Sequence, residues 1–246
     1  MTQATELVPP SGVLLIDKAQ DMTSHDVVAI ARRALNTKKI GHCGTLDPMA
    51  TGLLMLVIGK ATKLQDRLMC EHKEYTGTIT LGVETSSQDA MGDVIAEYPI
   101  EGVTEEAIRD AFASFDGEFD QIPPMVSAIK KNGVPLYKLA RQGKEIVREP
   151  RHVEVFGHQI SRIDIPEIDF VVQCSKGFYV RSYAYDIGKK LGCGGHLSAL
   201  RRTKSGLFTV DKATTVEELK TLPREELYGR MLSLQDIADL FASQEH

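Results

Sequence analysis

The chain has 246 residues, 26% charged and 42% hydrophobic, with a formal net charge of −5; that is long and apolar enough to bury a core without staples and excludes an intrinsically disordered chain. Cys43, Cys70, Cys174 and Cys193 form no C-x-x-C pair, which excludes a disulfide scaffold or zinc ribbon and fits a reducing compartment. Residues 1–11 have neither a basic nor an apolar leader, and no apolar run approaches the ~18 residues that span a bilayer, so a cytoplasmic protein without a membrane partner is expected.

Residues 12–17 (GVLLID) read as a buried strand. Thr23-Ser24, then Asp26 and the apolar set Val27, Ile30, Ala31 and Ala34, mark a capped amphipathic helix. Residues 41–52 (GHCGTLDPMATG) are rich in turn formers and lack periodicity; they precede the apolar strand 53–58. A polar loop between two buried elements is a usual place for chemistry. Residues 75–81 alternate as a half-buried strand, and Thr104-Glu105-Glu106 opens a second helix through Ile108, Ala111, Phe112 and Phe115. Residues 152–165 and 168–174 read as strands, a helix runs from Arg181 to about Leu191 and stops at Gly192, and residues 206–210 are expected to close the series of strands. Thr214-x-x-Glu217 and Thr215-x-x-Glu218 are alternative capping boxes for a helical tail ending near Ala242. Runs of strands interrupted by helices, without strict βαβ alternation, give an α+β fold with a mixed or antiparallel sheet.

The acidic total argues against a nucleic-acid partner, but the charge is segregated. Residues 126–152 carry Lys130, Lys131, Lys138, Arg141, Lys144, Arg148 and Arg151 against Glu145 and Glu149, whereas residues 205–246 hold eight acids and four bases. All of these bases but Arg151 lie in a long loop, 121–150, with the character of a phosphate-contacting flap.

Several motifs fail on spacing. Residues 52–61 have Gly59-Lys60 but place Ala61 where a phosphate loop needs Ser or Thr. Ser127-Ala128-Ile129-Lys130 lacks the companion motifs of penicillin-binding enzymes, and Gly192-Cys193-Gly194-Gly195 reads as a helix cap rather than a dinucleotide site. The seven histidines show no metal-ligand pair on one element, so no metal is expected. What remains is Asp47, set on a turn by Pro48 and flanked by glycines that allow close approach of a ligand. Taken by itself, an Asp before Pro is an ordinary turn former.

The segments GVLLIDKAQDMTSHDVV, GHCGTLDPMATGLLMLVIGKATKL, KEYTGTITLG with SSQDAMGDV, PPMVSAIKKNGVPLYKLARQG and SKGFYVRSYAYDIGKKLGCGGHLSALRRTKSG resemble, in this order, the bacterial tRNA pseudouridine-55 synthases, the TruB family. The resemblance covers roughly residues 11–210, and its G-H-x-G-x-L-D-P-x-A-x-G loop fixes eight identities in twelve positions. It implies the pseudouridine synthase catalytic fold, with a central mixed, largely antiparallel sheet flanked by helices. It also implies a cofactor-independent isomerase acting on uridine 55 of the tRNA T-arm, monomeric and without a guide RNA. By the same resemblance Asp47 stands at the catalytic aspartate, Tyr75 at the active-site tyrosine, Arg181 at the arginine pairing with the aspartate, and Leu200 at an active-site leucine before two arginines. His42 stands at a histidine contacting RNA around the flipped base. Lys18, Lys130, Lys131, Arg141 and Arg202 complete the expected RNA-binding set. Lys18 sits in a motif the family reads as L-D-K-P, where this chain has Ala19, a change in loop stiffness more than in chemistry.

The chemistry suits those residues. Pseudouridine formation breaks C1′–N1, turns the freed uracil and rejoins it through C5 without admitting water. An ionised carboxylate can serve as nucleophile at C1′ or as a base giving a glycal-like intermediate, and sequence does not choose between them. A guanidinium fork would keep it ionised, and a tyrosine offers a ring to the extruded base and a hydroxyl toward the C5 proton. The expected organisation is a catalytic domain over 1–210 and an acidic helical segment over 211–246 in place of the family's frequent RNA-binding (PUA) domain, with weaker and more salt-sensitive tRNA binding as the consequence. Two other readings are a non-catalytic tRNA-binding or tRNA-folding protein on the same scaffold and a carboxylate hydrolase of small glycosides.

Overall fold

The computed structural model describes residues 10–69, 72–127, 130–131, 134–135 and 146–243, with side chains described outside 128–145. Two compact units are present, residues 1–71 with 201–246, and residues 72–200.

In the first unit, β1 (Gly12–Lys18) lies antiparallel to β3 (Thr51–Ile58), from Gly12 opposite Ile58 to Lys18 opposite Gly52. Both are almost continuously apolar, as strands covered on both faces should be. The other edge of β3 is shared. β2 (Ile40–Cys43) pairs antiparallel along 55–58, and the end of β12 (Gly195–Ser205) pairs parallel at Thr51 and Gly52. Residues 44–50 leave the edge where one neighbour gives way to the other, so the turn-rich stretch is a shorter loop than its composition indicates. Helix α1 (Ser24–Ala34) starts in a capping box, Thr23 accepting from the Asp26 amide and Asp26 from the Thr23 amide, and buries Val27, Val28 and Ala31. After β3 come a 3-10 turn and the short α2 (Gln65–Met69).

The closing strand expected at 206–210 is displaced. Gly206 turns with φ +56°, only Phe208–Thr209 are extended, as β13, and the long strand is the preceding β12. Beyond it β14 (Thr214–Thr215) joins β1 in parallel and β15 (Leu232–Ser233) joins β1 antiparallel. The tail helices are α5 (Val216–Thr221), α6 (Arg224–Gly229) and α7 (Leu234–Ala242); Thr215 with Glu218 caps the first and Ser233 with Asp236 the third. Ile237 and Phe241 enter the same core as Val13, Leu15, Leu53, Met55 and Val57, and the Arg67 guanidinium lies 4.0 Å over the Phe241 ring.

The second unit is a sheet in the order β12, β4 (Lys73–Leu81), β11 (Glu167–Cys174), β10 (Arg151–Asp164), β7 (Gly117–Gln121), with β4, β11, β10 and β7 successively antiparallel. Two antiparallel ribbons complete it: β5 (Val83–Thr85) with β6 (Val94–Glu97), and β8 (Lys130–Lys131) with β9 (Val134–Pro135). Helix α3 (Glu105–Ala113), capped by Thr104, and α4 (Val180–Leu191), ended by left-handed Gly192, bring Phe112 and Tyr183 to an aromatic cluster with Phe115, Phe170 and Phe178. No helix among the described residues is long and apolar enough to cross a membrane. The mixed α+β architecture agrees with the expectation from sequence.

Candidate active site

The Asp47 loop is held from several directions within the first unit. Ser24, buried at the start of α1, accepts from the Leu46 amide (2.9 Å) and donates to the Leu46 carbonyl (3.2 Å), fixing the residue before Asp47. The Ala50 amide donates to the Asp47 carbonyl (3.0 Å) and the Asp21 amide to the Pro48 carbonyl (2.9 Å). Asp47 itself is partly exposed, while Leu46, Met49 and Ala50 are buried. The loop therefore has an apolar anchor and a carboxylate open to a ligand.

Lys18, wholly buried at the end of β1, donates to the carbonyls of Met22 (2.7 Å), Ala19 (2.9 Å) and Pro48 (3.3 Å). Burial lowers its pKa to about 8; Asp47 is the leading charge opposing that shift, and Arg202 adds to it. So Lys18 is a cation whose charge is felt by Asp47 and a brace for its loop, and a phosphate contact would require it to leave these partners. Arg202 is placed similarly: it is 2% exposed, its Nε donates to the Leu53 carbonyl (2.7 Å) and its Nη2 to the Gly44 carbonyl (3.0 Å). The RNA contact expected of Arg202 would require this buried guanidinium to leave those backbone carbonyls.

His42, on β2, is partly buried, and its Nδ1 has no hydrogen-bond partner among the described residues. Burial lowers its pKa to about 4, with His25 and Arg202 contributing. The exposed His25 ring stands edge-on to it, 5.2 Å between centroids at 83°. His42 is thus a neutral imidazole at physiological pH, a flat surface rather than a phosphate-binding charge.

Tyr75, Arg181 and Leu200 belong to the second unit. Tyr75 is on β4 opposite Val172 of β11 and is 8% exposed; Leu200 is partly exposed on β12. Arg181 is the second residue of α4, whose start is fixed by Gln121: its side chain donates to the Tyr179 carbonyl (3.0 Å) and accepts from the Tyr179 amide (2.8 Å). The buried guanidinium donates to the carbonyls of Ser87 (2.9 Å) and Val126 (2.6 Å), and its Nε lies 3.6 Å from the Asp89 carboxylate. Asp89 is also buried, accepting from the Ser87 hydroxyl and the Met91 amide (3.0 Å). Sequence reading missed Asp89 as a partner of Arg181. Its signal was present in the SSQDAMGDV segment, which carried the resemblance but was given no role.

Lys130 and Lys131 form one strand of the β8–β9 ribbon, while Arg141 lies outside the described residues. Among the described residues no group of three or more His, Cys, Asp or Glu is arranged to hold a metal. The first unit supplies a rigidly held, partly exposed carboxylate, two buried cations bracing its loop and a neutral imidazole; the second supplies a buried guanidinium and a buried tyrosine.

Comparison with known proteins gives the family. A family model described as TruB family pseudouridylate synthase (N terminal domain) matches residues 32–180, and one described as tRNA pseudouridylate synthase B C-terminal domain matches residues 181–227. The tRNA pseudouridine synthase B of Opitutus terrae is 52% identical over 227 residues, covering 92% of this chain and 94% of that protein. The protein of the same name from Syntrophotalea carbinolica is 46% identical over 226 residues, covering 92% and 74%. Among solved structures, a chain of a Cbf5-Nop10-Gar1 complex matches with TM-score 0.69 and 30% identity over 92% of this chain. This chain spans 60% of the length of that one.

Proposed function

We propose that this chain, which belongs to the TruB family of pseudouridylate synthases, isomerises a uridine of tRNA to pseudouridine, and that its target is uridine 55 in the T-arm. The observation that carries the reading is the relation to a tRNA pseudouridine synthase B at 52% identity over nearly the whole of both chains. The loop geometry supports it from the other side, because a partly exposed carboxylate on a braced turn beside a buried ammonium suits an anion that acts on a ribose.

The carboxylate role is assigned to Asp47, the cationic role to Arg181 and the base-facing role to Tyr75. In the reaction C1′–N1 breaks, the uracil turns, C1′–C5 forms, the C5 proton leaves and N1 is left protonated. Tyr75, buried but for 8% of its surface, is assigned to offer a ring to the base and a hydroxyl to that last proton. The nucleotide must leave its stack first, at a cost of a few kcal/mol, and His42, neutral near pH 7, offers a face to the RNA around it. Recognition of the arm through its shape, action as a monomer without guide RNA, and a cytoplasmic setting complete the proposal.

The test is incubation of the purified protein with unmodified tRNA, without added metal or nucleotide, followed by mapping of pseudouridine along the RNA. Product at the T-loop uridine is expected. Free uracil would point to a glycoside hydrolase, and tRNA binding without product to a non-catalytic protein.

A further inference from the structure

We infer that Arg202 is a positioning residue that clamps the two roots of the Asp47 loop, an inference that rests on the assignment of Asp47 as the reacting carboxylate. The side chain spans the loop. Gly44 is the first residue after β2 and Leu53 lies just inside β3, and one guanidinium donates to both carbonyls: Nη2 to Gly44 at 3.0 Å and Nε to Leu53 at 2.7 Å. Because the N–H directions of the planar fork are fixed relative to each other, they set how far apart the two roots stand, which a lysine's single nitrogen cannot do.

The backbone around the clamp is shaped to it. Arg202 pairs with Gly52 in the short parallel contact between β12 and β3, and a Cβ at Gly52 would come within 2.3 Å of the Arg202 carbonyl oxygen. At the other root Gly44 has φ +74°, and a Cβ there would stand 3.1 Å from Arg202 Nη1. Both glycines admit the arginine as well as the turn. Between the roots, Lys18 holds the Pro48 carbonyl, so buried cations grip the loop at three points around Asp47.

The neighbouring arginine shows the contrast. Successive residues of a strand face opposite ways, and Arg201 instead makes a bidentate pair with Asp17, at 2.9 and 2.7 Å, with its side chain 38% exposed. Of the two arginines Arg202 is the one withdrawn from solvent, at 2% exposure.

Arg202→Lys, Arg202→Met and Gly44→Ala proteins test the clamp against wild type in three measurements: single-turnover pseudouridine formation at saturating tRNA, tRNA affinity, and amide hydrogen exchange of residues 44–53 read against residues 12–18. The rate at saturation should fall by roughly 100-fold, the penalty of a misplaced reacting group, with tRNA affinity unchanged. Amides of 44–53 should exchange faster by about an order of magnitude while those of 12–18 keep their protection. Affinity lost with the saturating rate kept would make Arg202 an RNA contact and overturn the proposal. So would unchanged exchange in the loop, or wild-type rates in Arg202→Lys. If Arg202→Met does not fold, Gly44→Ala perturbs the same contact from the opposite side. Exchange needs no substrate, so a wild-type protein that makes no pseudouridine refutes the function while the exchange comparison still decides the clamp.

Discussion

Lys18→Met should leave the protein nearly as stable as wild type at pH 7 and markedly less stable than wild type at pH 9.5. The ammonium is wholly buried with its pKa lowered from 10.5 to about 8. At ~1.4 kcal/mol per pH unit that is a penalty of about 3 kcal/mol for carrying the charge in the fold at neutral pH. Methionine fills similar space and removes the penalty, but it leaves the carbonyls of Ala19, Met22 and Pro48 without their donor, a loss on the order of 2–4 kcal/mol. The two nearly cancel at pH 7. The sign of the pH effect follows from proton counts. Below pH 8 Lys18 is protonated in both states; between about 8 and 10.5 the unfolded chain holds a proton the folded one has released, so wild-type stability rises with pH. From pH 7 to pH 9.5 the wild type should gain about 2 kcal/mol over Lys18→Met. Urea unfolding of both proteins at the two pH values isolates the effect, since every other group is shared. In an Asp47→Asn background the gain should begin at lower pH, because the leading charge that raises the Lys18 pKa is gone. A difference that stays flat with pH, or that moves against the wild type, refutes the reasoning.

Ser24→Ala removes both bonds to Leu46 and strands a buried amide and carbonyl; the expected loss is about 2–4 kcal/mol, a drop in Tm of roughly 5–15 °C by calorimetry for a chain of this size. His42 should titrate with a midpoint near 4 by NMR and stay neutral from pH 5 upward; a midpoint near the free imidazole value would contradict its burial. Asp89→Ala takes away the carboxylate that lies 3.6 Å from the buried Arg181 guanidinium. Breaking a buried pair in this way should cost about 3–5 kcal/mol in denaturant unfolding, and a loss under 1 kcal/mol, the order of an exposed surface pair, would deny the pair any structural part.

What the sequence displayed were features written in local chemistry. Thr23 and Asp26 announce the start of α1, Gly192 the end of α4, and the alternation in 75–81 a strand with one covered face. The family pattern around Asp47 located the candidate carboxylate. Other features depend on partners far along the chain. β12 reads as polar because its LSALRRTKS stretch carries two adjacent arginines, and only the register against β3 sends Arg202 inward and Arg201 outward. β2 is four residues with a glycine, and β14 and β15 are two residues each, too short to show a period; each exists because a longer strand lies beside it. Asp89 is ninety-two positions from Arg181, so no spacing rule could join them. The same blindness applies to Lys18 and Arg202, which are expected from sequence as RNA-binding residues: a sequence registers a charge but not the backbone carbonyls that hold it.

The account turns on Asp47. Single-turnover pseudouridine formation by Asp47→Ala, measured alongside tRNA affinity, is its most direct test. No detectable product with wild-type affinity is the predicted result, whereas product formed within about tenfold of the wild-type rate, a barrier change of only ~1.4 kcal/mol, would contradict it.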